Sequence, residues 1–227
     1  MRRKISTMLL LAMTGVMPAL AQSDDDDIFI REKANIVTLG PRVGATFTTM
    51  GQPNECNLYD GTGVGLTLGA ALKTRLGRAT RDTQEGGTGF LGFGLDLLYK
   101  QNNVKTIGSD NLNLGYFELP VAVQFFPMAR SRYMNKFYVE AGPSFAILAS
   151  KSPSVIDVNQ ANVSYHTGDL GGGDVRFLVG LGYTIPKTSL NVGVRYYIGT
   201  SKLAKNFPCK QNSLEIAVSW QFKIAKY

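Results

Sequence analysis

Eight stretches of this chain alternate apolar and polar residues, and the apolar members of all eight carry no charge. In the last stretch Leu214, Ile216, Val218, Trp220, Phe222 and Ile224 share one face, while Glu215, Ala217, Ser219, Gln221 and Lys223 share the other. Seven earlier runs, over residues 37–47, 64–73, 91–100, 117–125, 137–147, 175–185 and 190–198, separate in the same way. Together the apolar faces hold about 44 positions, where a chain that is 18% charged would place about eight charges by chance.

A soluble β-sandwich also alternates, but its polar residues turn to water and are rich in Lys, Thr and Glu. Here the polar face is mostly Gly, Ala and Ser with single charges, which suits a narrow lumen. The uncharged face suits lipid, where Lys or Arg at mid-depth costs roughly 2–4 kcal/mol. In hydrocarbon every backbone N–H and C=O must be paired within the protein, so the sheet has to close. The expected fold is therefore all-β: an eight-stranded antiparallel up-and-down transmembrane β-barrel in the cell outer membrane, with outer-membrane lipid as its surroundings. The aromatic C-terminal strand, with Trp220, Phe222 and Tyr227, fits the signal that barrel assembly machinery reads during biogenesis.

The first 21 residues read as a signal peptide. Arg2, Arg3 and Lys4 form a positive start, Met8 to Val16 is an apolar run too short to span a bilayer, and Pro18-Ala19-Leu20-Ala21 ends in a small-x-small cleavage pattern. Residues 22–32, with the Asp24–Asp27 run, read as an acidic N-terminal linker, and residues 33–227 as the barrel domain. Removal of the leader lowers the formal charge of +7 by its three bases. The remaining bases are dispersed along strands and loops, so nucleic acid is not an expected partner.

An even strand count lets both termini lie on the periplasmic side. Periplasmic connections are then expected at 77–87, 127–136 and Pro186-Lys187-Thr188, and outer loops at 48–62, 102–113, 149–174 and 200–212. Two aromatic girdles are expected: Phe125, Phe126, Phe137, Tyr138, Trp220 and Phe222 near the periplasmic rim, and Tyr99, Tyr116, Phe117, Tyr196 and Tyr197 near the outer one. Pro41, Pro120 and Pro143 cannot donate to a ladder, and each predicts a bulge or locally distorted pairing.

Two runs, Tyr116-Phe117-Glu118-Leu119-Pro120 continuing through Phe126, and Phe137-Tyr138-Val139-Glu140-Ala141-Gly142-Pro143-Ser144-Phe145, resemble the paired central strands of the PorT-like outer-membrane β-barrel family. The resemblance covers residues 33–227. It implies an eight-stranded barrel and, from the family's namesake, a place in a protein secretion apparatus; most members have no assigned activity, so it bears on fold and location more than on role.

A barrel of eight strands is just wide enough for side chains to fill. Its inward face would carry Asp96, Glu118, Glu140 and Glu215 with Arg42, Lys73, Arg176 and Arg195, a lumen charge network of balanced pairs. Glu118 and Glu140 also admit a reading as acid/base catalysts. Cys56 and Cys209 fall in the first and fourth outer loops, which become neighbours only on closure, and an exported protein with two cysteines favours a Cys56–Cys209 disulfide over two free thiols.

Other motifs carry less. His166 is the single histidine, so any Ser-His-Asp site or His-based metal site must pass through it; it is expected in the 149–174 loop beside Tyr165 and Thr167, with Ser164 and Asp169 nearby. Asp24–Asp27 lacks the ligand spacing of a calcium loop. Gly63-x-Gly65, Gly92-x-Gly94 and Gly180-x-Gly182 fall at period two on the lumen face, without a Gly-Lys-Ser/Thr partner. No catalytic set, metal site or cofactor is expected. The function expected is that of a non-enzymatic envelope scaffold or accessory component of a secretion or surface-assembly machine, with secretion-system or envelope proteins as partners. A lipid-modifying barrel enzyme and a small pore stand as alternatives.

Overall fold

The computed structural model describes residues 35–51, 59–77, 89–106, 111–129, 131, 134–152, 155–158, 163–166, 170, 172–186, 188–200 and 210–226. The readings made for residues 1–34, including the leader, its cleavage point and the acidic linker, lie outside them, as do Cys56 and Cys209.

Eleven strands run in chain order: β1 (Ile36–Gly51), β2 (Tyr59–Arg75), β3 (Leu91–Thr106), β4 (Leu112–Phe125), β5 (Phe137–Ser152), β6 (Val155–Val158), β7 (Val163–His166), β8 (Gly173–Thr184), β9 (Leu190–Gly199), β10 (Lys210–Trp220) and β11 (Phe222–Lys226). Strands β6 and β7 pair only with each other, as a hairpin between β5 and β8. All the rest pair antiparallel with their neighbours, and β1 pairs with β2 on one side and with both β10 and β11 on the other. Since β10 and β11 are one strand interrupted at Gln221, the result is a closed antiparallel barrel of eight strands with no free edge.

Closure leaves the apolar residues outside. Val64, Leu97, Val123, Phe177 and Trp220 are exposed, and their sequence neighbours are buried. In water this inverted pattern would be unstable; in lipid it is the pattern a barrel requires.

The barrel strands run past this apolar belt, because β2 alone, at 17 residues, extends about 55 Å, while a tilted strand needs about 9–11 residues to cross. Beyond Tyr99 and Phe117, whose rings meet edge-on at 5.5 Å, β3 and β4 reverse their polarity. Asn103, Lys105 and Asn113 now face outward, and Val104, Leu112 and Leu114 are buried within. The surrounding medium there is water, and an apolar-inside pattern is the stable one. This reversal is why the strands outrun the expected ones: the connections at this end shrink to 52–58, 107–111 and 200–209, and the fourth contains the β6–β7 hairpin.

No bulge occurs at the prolines; the register is continuous through each. What the missing N–H removes is a local piece of one ladder. The β1–β10 pairing stops at Arg42↔Ser219 and resumes with β11 at Leu39↔Phe222, skipping Pro41. The β4–β5 ladder skips Val121 and Ala122, opposite Pro143 and Gly142, and the β3–β4 ladder skips Leu119 and Pro120. At the first of these sites a Cβ built on Gly40 would lie 1.5 Å from the Trp220 carbonyl oxygen, so only glycine fits the seam. Gln221, freed from the ladder, donates its N–H to the Ser189 carbonyl at 2.6 Å.

The two aromatic girdles are thinner than expected. Phe125, Phe137, Trp220 and Phe222 at one rim, and Tyr99, Phe117 and Tyr196 at the other, lie on the outward face. Phe126, Tyr138, Tyr116 and Tyr197 are buried inside the barrel. They fall on the inward parity of their strands, and a lumen too narrow for water favours large side chains that fill it. Lys223 departs in the opposite sense: past the interruption at Gln221 it is exposed.

Candidate functional site

The lumen is where the polar residues converge, and each of the eight barrel strands contributes a buried charge. Arg42 comes from β1, Lys73 from β2, Asp96 and Lys100 from β3, Glu118 from β4, Glu140 from β5, Arg176 from β8, Arg195 from β9 and Glu215 from β10. Inward parity at successive strands, with Gly or Ala beside many of these positions, leaves space for long side chains to reach across.

The centre is built around two arginines. Arg195 directs Nε to Glu140 Oε1 at 2.6 Å and Nη2 to Glu140 Oε2 at 3.3 Å, and its Nη1 donates to Asp96 Oδ2. Gln124 completes the Glu140 carboxylate with a 2.9 Å bond from Nε2. Arg42 donates from Nε and Nη2 to Glu215 Oε1 at 3.0 and 2.6 Å, and also lies 4.0 Å from Asp96. Such charge-assisted forks are the strong class of hydrogen bond, and they offset the cost of taking the ions out of water.

Toward the outer end, Lys100 sits between Glu118 and Glu215, 3.6 and 3.4 Å from their Oε2 atoms, with its ammonium 3.2 Å from the centroid of the Tyr197 ring. Ser144 donates to Glu118 Oε1 at 2.7 Å. Arg176 pairs with Asp174 at 2.7 Å, donates to Gln211 Oε1 at 2.8 Å and packs over Tyr116. Toward the other end Lys73 has neutral partners, donating to Tyr138 Oη at 2.6 Å and Asn191 Oδ1 at 2.7 Å.

Seven of the eight residues expected to form a lumen network thus lie within ion-pair distance of an opposite charge. Lys73 does not; it is held by a phenol and an amide instead of an acid. Lys100 was absent from the expected bases although it shares the inward parity of Asp96, the signal that would have found it. Asp174, just inside the outer end of β8, supplies a fifth acid to the five buried bases.

This arrangement is poor for catalysis. The Glu118 and Glu140 carboxylates are 0% and 1% exposed and already committed to cations or donors, so no substrate reaches them. His166 ends β7 and is exposed; the side chain of Ser164 and the placement of Asp169 lie outside the described residues. Among the described residues no cluster of His, Cys, Asp or Glu is suited to a metal.

Among the described residues, large side chains fill the lumen at several levels. At one end Phe126 and Tyr138 pack at 5.5 Å, with the Arg75 guanidinium 3.8 Å over the Phe126 ring. In the middle Ala122, Leu178 and Tyr197 form a cluster. Val104, Leu112 and Leu114 are buried toward the other end. On the outer wall just above the belt, a groove of about 190 Å³ lies between Tyr99, Gln101, Asn103, Asn113 and Ser150.

Among solved structures, the chain is similar to Ail, the attachment invasion locus protein of Yersinia pestis, at 12% identity, covering 84% of this chain and 100% of that one with a TM-score of 0.40. It is also similar to the outer membrane protein AlkL as determined in lipid bilayers, at 13% identity, covering 90% of this chain and 97% of that one with a TM-score of 0.30. No curated protein matches it. Residues 20–205 match the family described as Outer membrane protein beta-barrel domain. That match spans most of the chain and takes in strands β1 to β9, and it names the general barrel domain and not the PorT-like grouping that the central strands resemble: the protein belongs to the outer membrane protein beta-barrel domain family.

Proposed function

We propose that this outer-membrane barrel acts through protein contacts at its outer rim, as an envelope scaffold or accessory part of a secretion or surface-assembly machine. One observation carries the reading: seven of the eight strands spend their inward charges on one another and Lys73 of the eighth is held by Tyr138 and Asn191, so the lumen offers neither a passage nor a reaction chamber. What the molecule offers to a partner is its surface. The β3 and β4 extensions above the belt are polar outside and carry buried Val104, Leu112 and Leu114, the construction of a water-exposed binding element, and the β6–β7 hairpin extends the same end. The resemblance of the central strands to the PorT-like family supplies the secretion context.

The test is co-purification from detergent-solubilised envelopes of the natural host. The full chain is compared with a variant in which residues 153–172 are replaced by a short turn. The expected result is a defined set of envelope or secretion proteins retained by the full chain and lost from the variant, while both remain heat-modifiable barrels. Retention of the same proteins by both forms, or steady single-channel conductance of the full chain in planar bilayers, would count against the reading.

A further inference from the structure

The groove on the outer wall takes no part in the lumen network. It lies across β3, β4 and β5, where the ladders set outward residues in rows. The lowest row is apolar: Tyr99 pairs with Phe117, and Phe117 with Ile147. In the next row Gln101 pairs with Gly115, and Gly115 with Ser150; above it Asn103 pairs with Asn113, and Asn113 with Ser152. Carboxamides and hydroxyls therefore begin one step above the belt.

Local backbone geometry builds this surface. The β4–β5 register shifts between Gly115 and Tyr116, so Ala149 is an extra residue that reverses the parity of β5 and turns Ser150 and Ser152 outward. At the centre a Cβ on Gly115 would lie 2.3 Å from Ser150 Oγ and 2.6 Å from Tyr99 Oη. Its absence lets those two hydroxyls converge to 3.5 Å and leaves the wall concave. Asn103 is fixed by a 2.7 Å bond from Nδ2 to the Val64 carbonyl, where the β2–β3 ladder is interrupted between Thr62 and Thr67.

The groups that line the groove define what it can hold. Carboxamides and hydroxyls each donate and accept hydrogen bonds, as sugar hydroxyls do, and Tyr99 adds an apolar ring with a polar tip. Lys151 is the one charged residue in the lining, too little for a headgroup recognised by charge. Throughout the groove β3 pairs with β4 and β4 with β5, so no strand edge is offered to a peptide. At about 190 Å³ the space is smaller than the roughly 300–1,000 Å³ that encloses a drug-sized ligand, and it suits a single ring of a larger molecule. Directly below, Phe117 and Ile147 are 55% and 65% exposed on the belt. An occupant that continues downward meets hydrocarbon, so it is polar above and acylated below.

We infer that the groove is a binding subsite for one sugar ring of an outer-leaflet glycolipid, whose acyl chains run down the belt past Phe117 and Ile147. The end opposite the termini faces outward in an even-stranded barrel, which sets the groove at the depth of that leaflet's headgroups. The site does not depend on the protein contacts proposed for this end, and the variant lacking residues 153–172 keeps every residue that lines it.

Native mass spectrometry of the full barrel in detergent tests the inference. The probes are an acylated glucosamine disaccharide without phosphates, the same disaccharide without acyl chains, and phosphatidylglycerol of matched chain length. The unaltered barrel is expected to retain the acylated disaccharide about three- to tenfold more than either of the others, the effect of one or two added hydrogen bonds. Gly115→Val, whose new methyl groups meet only side-chain ends, and Asn113→Val each remove most of that preference. Thr49→Ala, on β1 at the same end of the barrel, leaves it unchanged. Equal retention of the acylated disaccharide and phosphatidylglycerol, a preference that survives both groove variants, or equal binding of the disaccharide without acyl chains overturns the inference. The comparison of the three probes on the unaltered chain decides it even where a variant fails to fold.

Discussion

Arg195 of β9 and Glu140 of β5 meet in a two-bond fork across the lumen although β8 lies between their strands. The pair ties together walls that share no ladder, and Asp96 of β3 joins it from further round the barrel. The lumen therefore resists flattening by side-chain bonds as well as by the closed ladder.

Replacing Arg195 by Met leaves Glu140 and Asp96 buried with most of their positive partners gone. Breaking one side of a buried pair in this way is expected to cost roughly 3–5 kcal/mol. Adding Glu140→Gln to that variant recovers part of the loss, because one orphaned charge disappears with it. Urea unfolding in lipid vesicles measures both, and a double variant less stable than Arg195→Met would contradict the account.

The seam makes a steric prediction. Gly40→Val places branched carbon where the Trp220 carbonyl already stands, and the barrel is expected not to close, with loss of its heat-modifiable band on electrophoresis. Gly94→Ala is the matched control, since its Cβ would meet nothing nearer than the end of the Gln124 side chain at 3.4 Å; it should fold normally.

Depth in the membrane is testable on β10. Its outward apolar residues run from Leu214 to Trp220 and continue in Phe222, with Val218 at their midpoint, and Asn212 lies on the outward face beyond them. Val218→Arg is expected to destabilise the folded barrel by roughly 2–4 kcal/mol, and Asn212→Arg by about 0–1 kcal/mol. Equal costs at the two positions in vesicle unfolding would move the belt from where the polarity reversal puts it.

The expected Cys56–Cys209 bridge falls outside the described residues, but the strand ends leading to it are adjacent: Gly51 pairs with Lys210, the residue after Cys209. A bridge there would close a loop of about 150 residues, for which the chain-entropy account gives roughly 5 kcal/mol. Oxidised protein is expected to run faster than reduced protein in denaturing electrophoresis. Two titratable thiols in the unreduced, unfolded chain would rule the bridge out.

Which residues look inward and which outward could be read from the one-dimensional pattern, because the penalty that hydrocarbon sets on a charge acts position by position and strand parity needs no knowledge of neighbours. The same logic identified most of the inward charges. It failed where the medium changes: above Tyr99 water replaces lipid, the favourable polarity inverts, and strands sought as apolar-outside end too early. It also assigned Tyr116, Tyr138, Tyr197 and Phe126 to girdles, since aromatic character alone does not say whether a ring fills a lumen or lines an interface. Partnership belonged to the tertiary structure alone. Arg42 and Glu215 are 173 residues apart in the chain, and only the register at which β1 meets β10 brings them together; Lys73 finds a phenol and an amide where a carboxylate was expected for the same reason, because closure and stagger decide which side chains share a level inside the barrel.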